Sequence, residues 1–103
     1  MKIYVASSWR NARQPEVVES LRAAGHEVYD FRNPGPNNYG FQWSEIDPHW
    51  QSWSNKGFIK GLLHPIARLG FNLDWDAMEW ADACVLVMPC GRSAHLEAGF
   101  QYR

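Results

Sequence analysis

This chain lacks the features that would point to a membrane, a nucleic acid polymer or a metal. No apolar run approaches the roughly 20 residues needed to cross a bilayer. Its start, Met1-Lys2-Ile3-Tyr4-Val5, leads directly into polar residues, so the charged and then apolar pattern of a secretion signal is missing. A cytoplasmic location is the default expectation. Charge of one sign is missing too: 10 Lys and Arg stand against 11 Asp and Glu, a net charge of −1. That balance argues against a basic face that grips nucleic acid. Cysteine is scarce. Cys84 and Cys90 match no zinc or redox spacing and are expected to be buried or idle thiols. His49 and His64 are too isolated to suggest a metal site. Neither phosphate-loop pattern, GxGxxG or GxxxxGKS/T, occurs. There is no internal repeat and no low-complexity segment.

What the chain does have is a core and many indoles. Hydrophobic residues make up 46% of the 103 positions, which excludes disorder and fits one small domain, residues 1–103, with a single core. Six tryptophans are many for this length, and four of them lie between Trp43 and Trp75.

Taken in order, Lys2 to Ala6 reads as a first strand and Ser7 to Gln14 as a polar loop. Pro15 suits the first position of a helix, whose apolar stripe is Val17, Val18, Leu21 and Ala24. Gly25 stops it, and His26 to Phe31 reads as a second strand. This is a β-α-β unit with parallel strands. Asn33 to Gly40, rich in Pro and Gly, is loop. Ser44 and Asp47 resemble a capping box that opens a short helix. Lys56 to Leu69 predicts one or two short helices broken by Gly57, Gly61 and Pro65, and Asn72 to Ala81 a better one. The stretch from Asn33 to Gly70 is long for a crossover and rich in aromatics. It either walls a ligand pocket or simply covers the sheet.

The most informative stretch is Cys84 to Gly99. Ala83 to Met88 predicts a strand buried on both faces, and Pro89 and Gly91 stop it. Ser93 is the expected N-cap of a last helix, with Glu97 in its first turn, where the helix dipole favours the ionised carboxylate. Glu97 either does chemistry there or only complements the dipole. Ligands of open α/β sheets bind beyond the carboxyl ends of the strands. With the first strand in the middle, Ser7, Ser8, Trp9, Arg10, Gly91, Arg92, Ser93 and Glu97 surround one crevice, and Asp74 or Asp76 can join from the preceding helix. Two carboxylates with hydroxyls and a guanidinium suit cleavage of a glycosidic bond: one attacks the anomeric carbon, the other helps the leaving group depart. Glu97 is expected to be the anion and Asp74 the proton carrier. Asp74 and Asp76 can equally be ordinary helix carboxylates. Asp82 is expected to cap the turn into the strand, and His95 to be structural, without a partner.

These residues carry a family resemblance. Ile3-Tyr4-Val5-Ala6-Ser7-Ser8-Trp9, then Asp74 with Ala81-Asp82 before a strand, then Leu96-Glu97-Ala98-Gly99-Phe100, resemble the nucleoside 2-deoxyribosyltransferase superfamily, which includes the deoxynucleoside 5′-monophosphate N-glycosidases. The likeness covers both ends of the chain and little of its aromatic middle. It implies an α/β fold of flavodoxin-like or Rossmann-like kind, a three-layer sandwich on a parallel sheet with an aromatic-rich helical insertion. It also implies cleavage or transfer at the N-glycosidic bond of deoxynucleosides or their 5′-monophosphates. Glu97 matches the family's nucleophile and Asp74 the residue that assists proton transfer to the base. Ser7 to Arg10 match the loop beside the sugar or base, and Ser93 is the nearest match to a Ser that binds the 5′ end. No cofactor and no metal are implied. The transferase branch often has an Asp where Arg92 and Ser93 stand, which tilts the expectation toward an anionic substrate. The family usually continues into a further strand and helix, whereas this sequence ends at Arg103. The resemblance thus implies a small-molecule nucleoside or nucleotide as partner and a homo-oligomer as the working form. The alternatives are a non-catalytic nucleotide-binding or signalling module of the same fold, and a scaffold whose aromatic insert is an interaction surface.

Overall fold

A computed structural model describes residues 1–35 and 38–102, Tyr102 by its backbone alone. Pro36 and Asn37, within the expected Asn33 to Gly40 loop, lie outside the described residues, as does Arg103. Three strands, β1 (Lys2–Ala6), β2 (Glu27–Asp30) and β3 (Ala83–Leu86), form one sheet in the order β2-β1-β3, and both pairings are parallel. The helices are α1 (Gln14–Ala23), α2 (Asn55–Leu62), α3 (Pro65–Trp80) and α4 (Arg92–Tyr102), with short 3-10 turns at Trp43–Glu45 and Trp50–Ser52.

The two-residue period of β1 makes the layers. Ile3 and Val5 are buried on one face with Val18 of α1 and with Val87. Tyr4 and Ala6 are buried on the other with Ala77 and Met78 of α3 and Ala94 of α4. The result is helix, sheet, helix: a mixed α/β fold whose central strand β1 is covered on both sides. The strand expected from Ala83 to Met88, buried on both faces, instead ends at Leu86 and is only half-buried because it is a sheet edge, and Met88 is exposed. Register sets Tyr4 opposite Tyr29 on β2 and opposite Cys84 on β3. Asp82 ties the start of β3 to β1: its N–H donates to the Lys2 carbonyl at 2.8 Å, and its carboxylate accepts from the Lys2 N–H at 3.2 Å.

Four local expectations need correction. The capping box is formed by Gln42 and Glu45, not by Ser44 and Asp47. Asp47 instead accepts from the Trp53 indole N–H at 2.8 Å. Pro65 does not break a helix but starts one, because His64 caps it, its Nδ1 accepting from the Ile66 N–H at 3.2 Å. The helix expected from Asn72 is the second half of this longer α3. Gly57 and Gly61 lie inside α2, because rings need their bare backbone. A Cβ on Gly61 would stand 2.7 Å from the Trp53 ring. Trp53 in turn meets Trp43 at 5.7 Å and Phe58 at 5.4 Å, edge to face. Finally, α4 begins at Arg92, so Ser93 is inside the helix rather than its N-cap, and Glu97 is more than one turn from its start.

Candidate active site

Three loops meet beyond the carboxyl ends of the strands, and buried polar side chains lash them together. Asn11 is buried; its amide donates to the carbonyls of Val87 (3.3 Å) and Pro89 (3.0 Å), and the Ser7 hydroxyl also donates to Val87 O at 2.9 Å. The loop after β1 is thereby fixed to the loop after β3. The loop after β2 is fixed by Arg32. Its guanidinium donates to the carbonyls of Ser8 (3.2 Å), Trp9 and Asn11 (3.0 Å) and lies over the Trp9 ring at 5.4 Å. Gln14, fully buried, donates to Asp30 at 2.8 Å, and Asp30 also accepts from the Arg32 N–H at 2.9 Å. Gly40 passes beneath Trp9 at φ 81°, where a Cβ would stand 2.4 Å from the Phe31 carbonyl oxygen. No residue with a side chain fits that approach.

These loops, with α3, α4 and the aromatic insert, enclose a cleft of about 770 Å³. Every expected site residue borders it: Glu97, Asp74, Ser7, Ser8, Trp9, Arg10, Gly91, Arg92 and Ser93. The insert contributes Phe41, Trp43 and Trp50, so the aromatic segment walls the cleft. The volume is within the range of small-molecule sites. Asp76 does not border it; it turns to a second hollow beside β2 and Trp80. The Ser7 hydroxyl is committed to Val87, and the Ser8 hydroxyl accepts from the Arg10 N–H at 3.2 Å.

The two carboxyl groups reach the cleft from adjacent helices over the same sheet face, above a row of phenols. Tyr4 and Tyr29 stack at 5.4 Å, their ring planes nearly parallel at 12°. The Tyr29 hydroxyl donates to Asp74 at 2.7 Å. The Tyr4 hydroxyl is buried without a partner in good hydrogen-bond geometry among the described residues, yet it is near enough to Glu97 to favour its ionised form. Burial dominates nonetheless. It pushes the Glu97 carboxyl up to about 7, and the charge of Asp74 adds to the shift. Burial also raises Asp74, against the pull of the Tyr29 hydrogen bond. Both phenols are held well above their ordinary range, by burial first and then by these carboxylates. Burial thus works against the expectation that Glu97 is the ready anion, and it raises both carboxyls of the pair. A helix start offers about 0.3–1 kcal/mol and fades after the first turn. The rise of Glu97 from 4.5 to about 7 corresponds to about 3 kcal/mol the other way.

Sequence reading missed Tyr4, Tyr29, Asn11, Gln14 and Arg32. The tyrosines are hidden inside apolar strand patterns, where an aromatic reads as core. Asn11, Gln14 and Arg32 read as ordinary loop polarity; only their closeness to strand ends could have marked them. His95, expected to have no partner, donates from Nδ1 to the Gly91 carbonyl at 2.9 Å. Among the described residues, no three His, Cys, Asp or Glu side chains gather as metal ligands. No family model, curated protein or solved structure matches this chain.

Proposed function

We propose that the chain cleaves or transfers at the N-glycosidic bond of a 2′-deoxynucleoside or its 5′-monophosphate, on a flavodoxin-like or Rossmann-like scaffold. The observation that carries this reading is the meeting of Glu97 and Asp74 in one cleft walled by Trp9, Trp43 and Trp50. Planar rings suit a planar base. Arg10, Arg92 and Ser93 supply the polar part of the cleft, with charge and donors for an anionic 5′ end. In the proposed step the ionised Glu97 attacks the anomeric carbon. The electrons of the C–N bond leave with the base, which takes a proton from Asp74. Water, or a second base, then displaces the glycosyl ester and frees Glu97. The two carboxyls share one proton near neutrality, and the reaction needs it on Asp74.

The test is base release from a panel of 2′-deoxynucleosides and 5′-monophosphates. Release by the parent should fall as pH rises through about 7, because there the pair loses the one proton that the leaving base needs. Glu97→Gln should lose at least a hundredfold in rate, and Asp74→Asn less. Adding a second free base tells transfer from hydrolysis. The second reading, a non-catalytic nucleotide-binding module, is favoured by the proton that Glu97 keeps up to about pH 7. It requires binding without turnover, and binding undiminished in Glu97→Gln. Base release unaffected by Glu97→Gln overturns the catalytic reading.

A further inference from the structure

The turn between β3 and α4 gathers three soft donors that the cleft chemistry does not use. Cys90 Sγ lies 3.6 Å from Met88 Sδ and 3.8 Å from His95 Nδ1. Met88 and His95 are exposed and Cys90 is partly so, which leaves the group open to an ion from solvent. Ligand patterns built on Cys and His pass over this group, because one member is a thioether.

The spacing has a chemical meaning. Two sulfurs, or a sulfur and a nitrogen, bound to one ion at about 2.0–2.3 Å in a trigonal arrangement stand about 3.8–4.0 Å apart. Two sides of the Met88-Cys90-His95 triangle are already within about 0.4 Å of that. Thiolate, thioether and imidazole together select a soft ion, and a three-donor set without oxygen suits a monovalent one. We propose that Met88, Cys90 and His95 form a three-coordinate site for a soft monovalent metal ion, Cu(I) in a cell and Ag(I) as its redox-inert stand-in. On binding, the Cys90 thiol gives its proton to solvent, and the thiolate charge neutralises the ion. His95 stays neutral: its Nδ1 exchanges the hydrogen bond to Gly91 for the metal, its proton moves to Nε2, and the exposed Gly91 carbonyl turns to water. No electron is transferred.

The experiment is an anaerobic titration of the purified chain with Cu(I) held by a chromogenic chelator, repeated with Ag(I) by calorimetry. The parent should take one ion and release about one proton. Cys90→Ser should abolish binding. Met88→Leu and His95→Gln should each weaken it roughly tenfold or more. Both change exposed side chains, so circular dichroism should confirm an unaltered fold. Cys84→Ser, on β3, should bind like the parent. A parent that takes no ion overturns the proposal. Equal affinity of the parent, Met88→Leu and His95→Gln also overturns it, because it reduces the site to a simple thiol adduct. Loss of binding in Cys84→Ser overturns it as well.

Discussion

At Glu97 the cost of leaving water meets the attraction of a helix start, and the pH at which the carboxyl ionises records which is larger. Its pKa of about 7, against 4.5 in an open chain, makes folding and protonation depend on each other. Between those values the folded chain holds a proton that the unfolded chain has released. Stability therefore falls as pH rises from about 4.5 to about 7, and the full cost stands above that. Glu97→Gln removes the charge but keeps the shape. It should be more stable than the parent at about pH 8, by up to about 3 kcal/mol less what solvent screens, and equal near pH 4. Urea unfolding at both pH values measures the difference; a gap that ignores pH would contradict the burial account. The sequence shows that Glu97 and Asp74 are candidates. It does not show the direction in which Glu97 shifts, because that depends first on how deeply the fold buries the carboxyl and then on Asp74 and Tyr4, which lie far away along the chain.

Helices and strands were legible where one force decides. The β1 and β3 runs, the Pro15 start of α1 and the Gly25 stop, at φ 91°, follow from local chemistry. The insert was less legible, because its glycines serve distant rings. Gly61 is the clearest case. Alanine there gains about 1 kcal/mol of helix propensity, but its Cβ would press on Trp53 at 2.7 Å and Trp43 at 3.3 Å. Overpacking of that kind costs about 1–3 kcal/mol, so Gly61→Ala should be destabilising by up to about 2 kcal/mol. It should also disturb the Trp43 wall of the cleft. Thermal unfolding checks the first effect and ligand affinity the second; a stabilised variant would mean that the rings give way freely. Misplacing the capping box by two residues has the same origin: Asp47 is taken by Trp53, leaving Gln42 and Glu45 to close the turn.

The radius of gyration is 14.1 Å, and the long axis of 42 Å is well beyond the other two. A compact chain of this size is nearer 13 Å. Among the described residues, β2 and β3 are sheet edges, and Phe71, Trp75 and Leu96 are exposed apolar side chains on α3 and α4. Such edges and patches favour self-association. Light scattering should give a mass of at least two chains of 11.9 kDa. Phe71→Lys with Leu96→Lys should return it to one; a parent that is already a single chain removes the expectation. This scale was only partly legible, since composition reports how many apolar residues there are and not which of them stay outside. The indoles that line the cleft have one more consequence. Trp9, Trp43 and Trp50 emit light, and the brightness and colour of that emission change when something lies against them. The arrival and departure of any ligand can therefore be timed by rapid mixing and fluorescence, with no label attached.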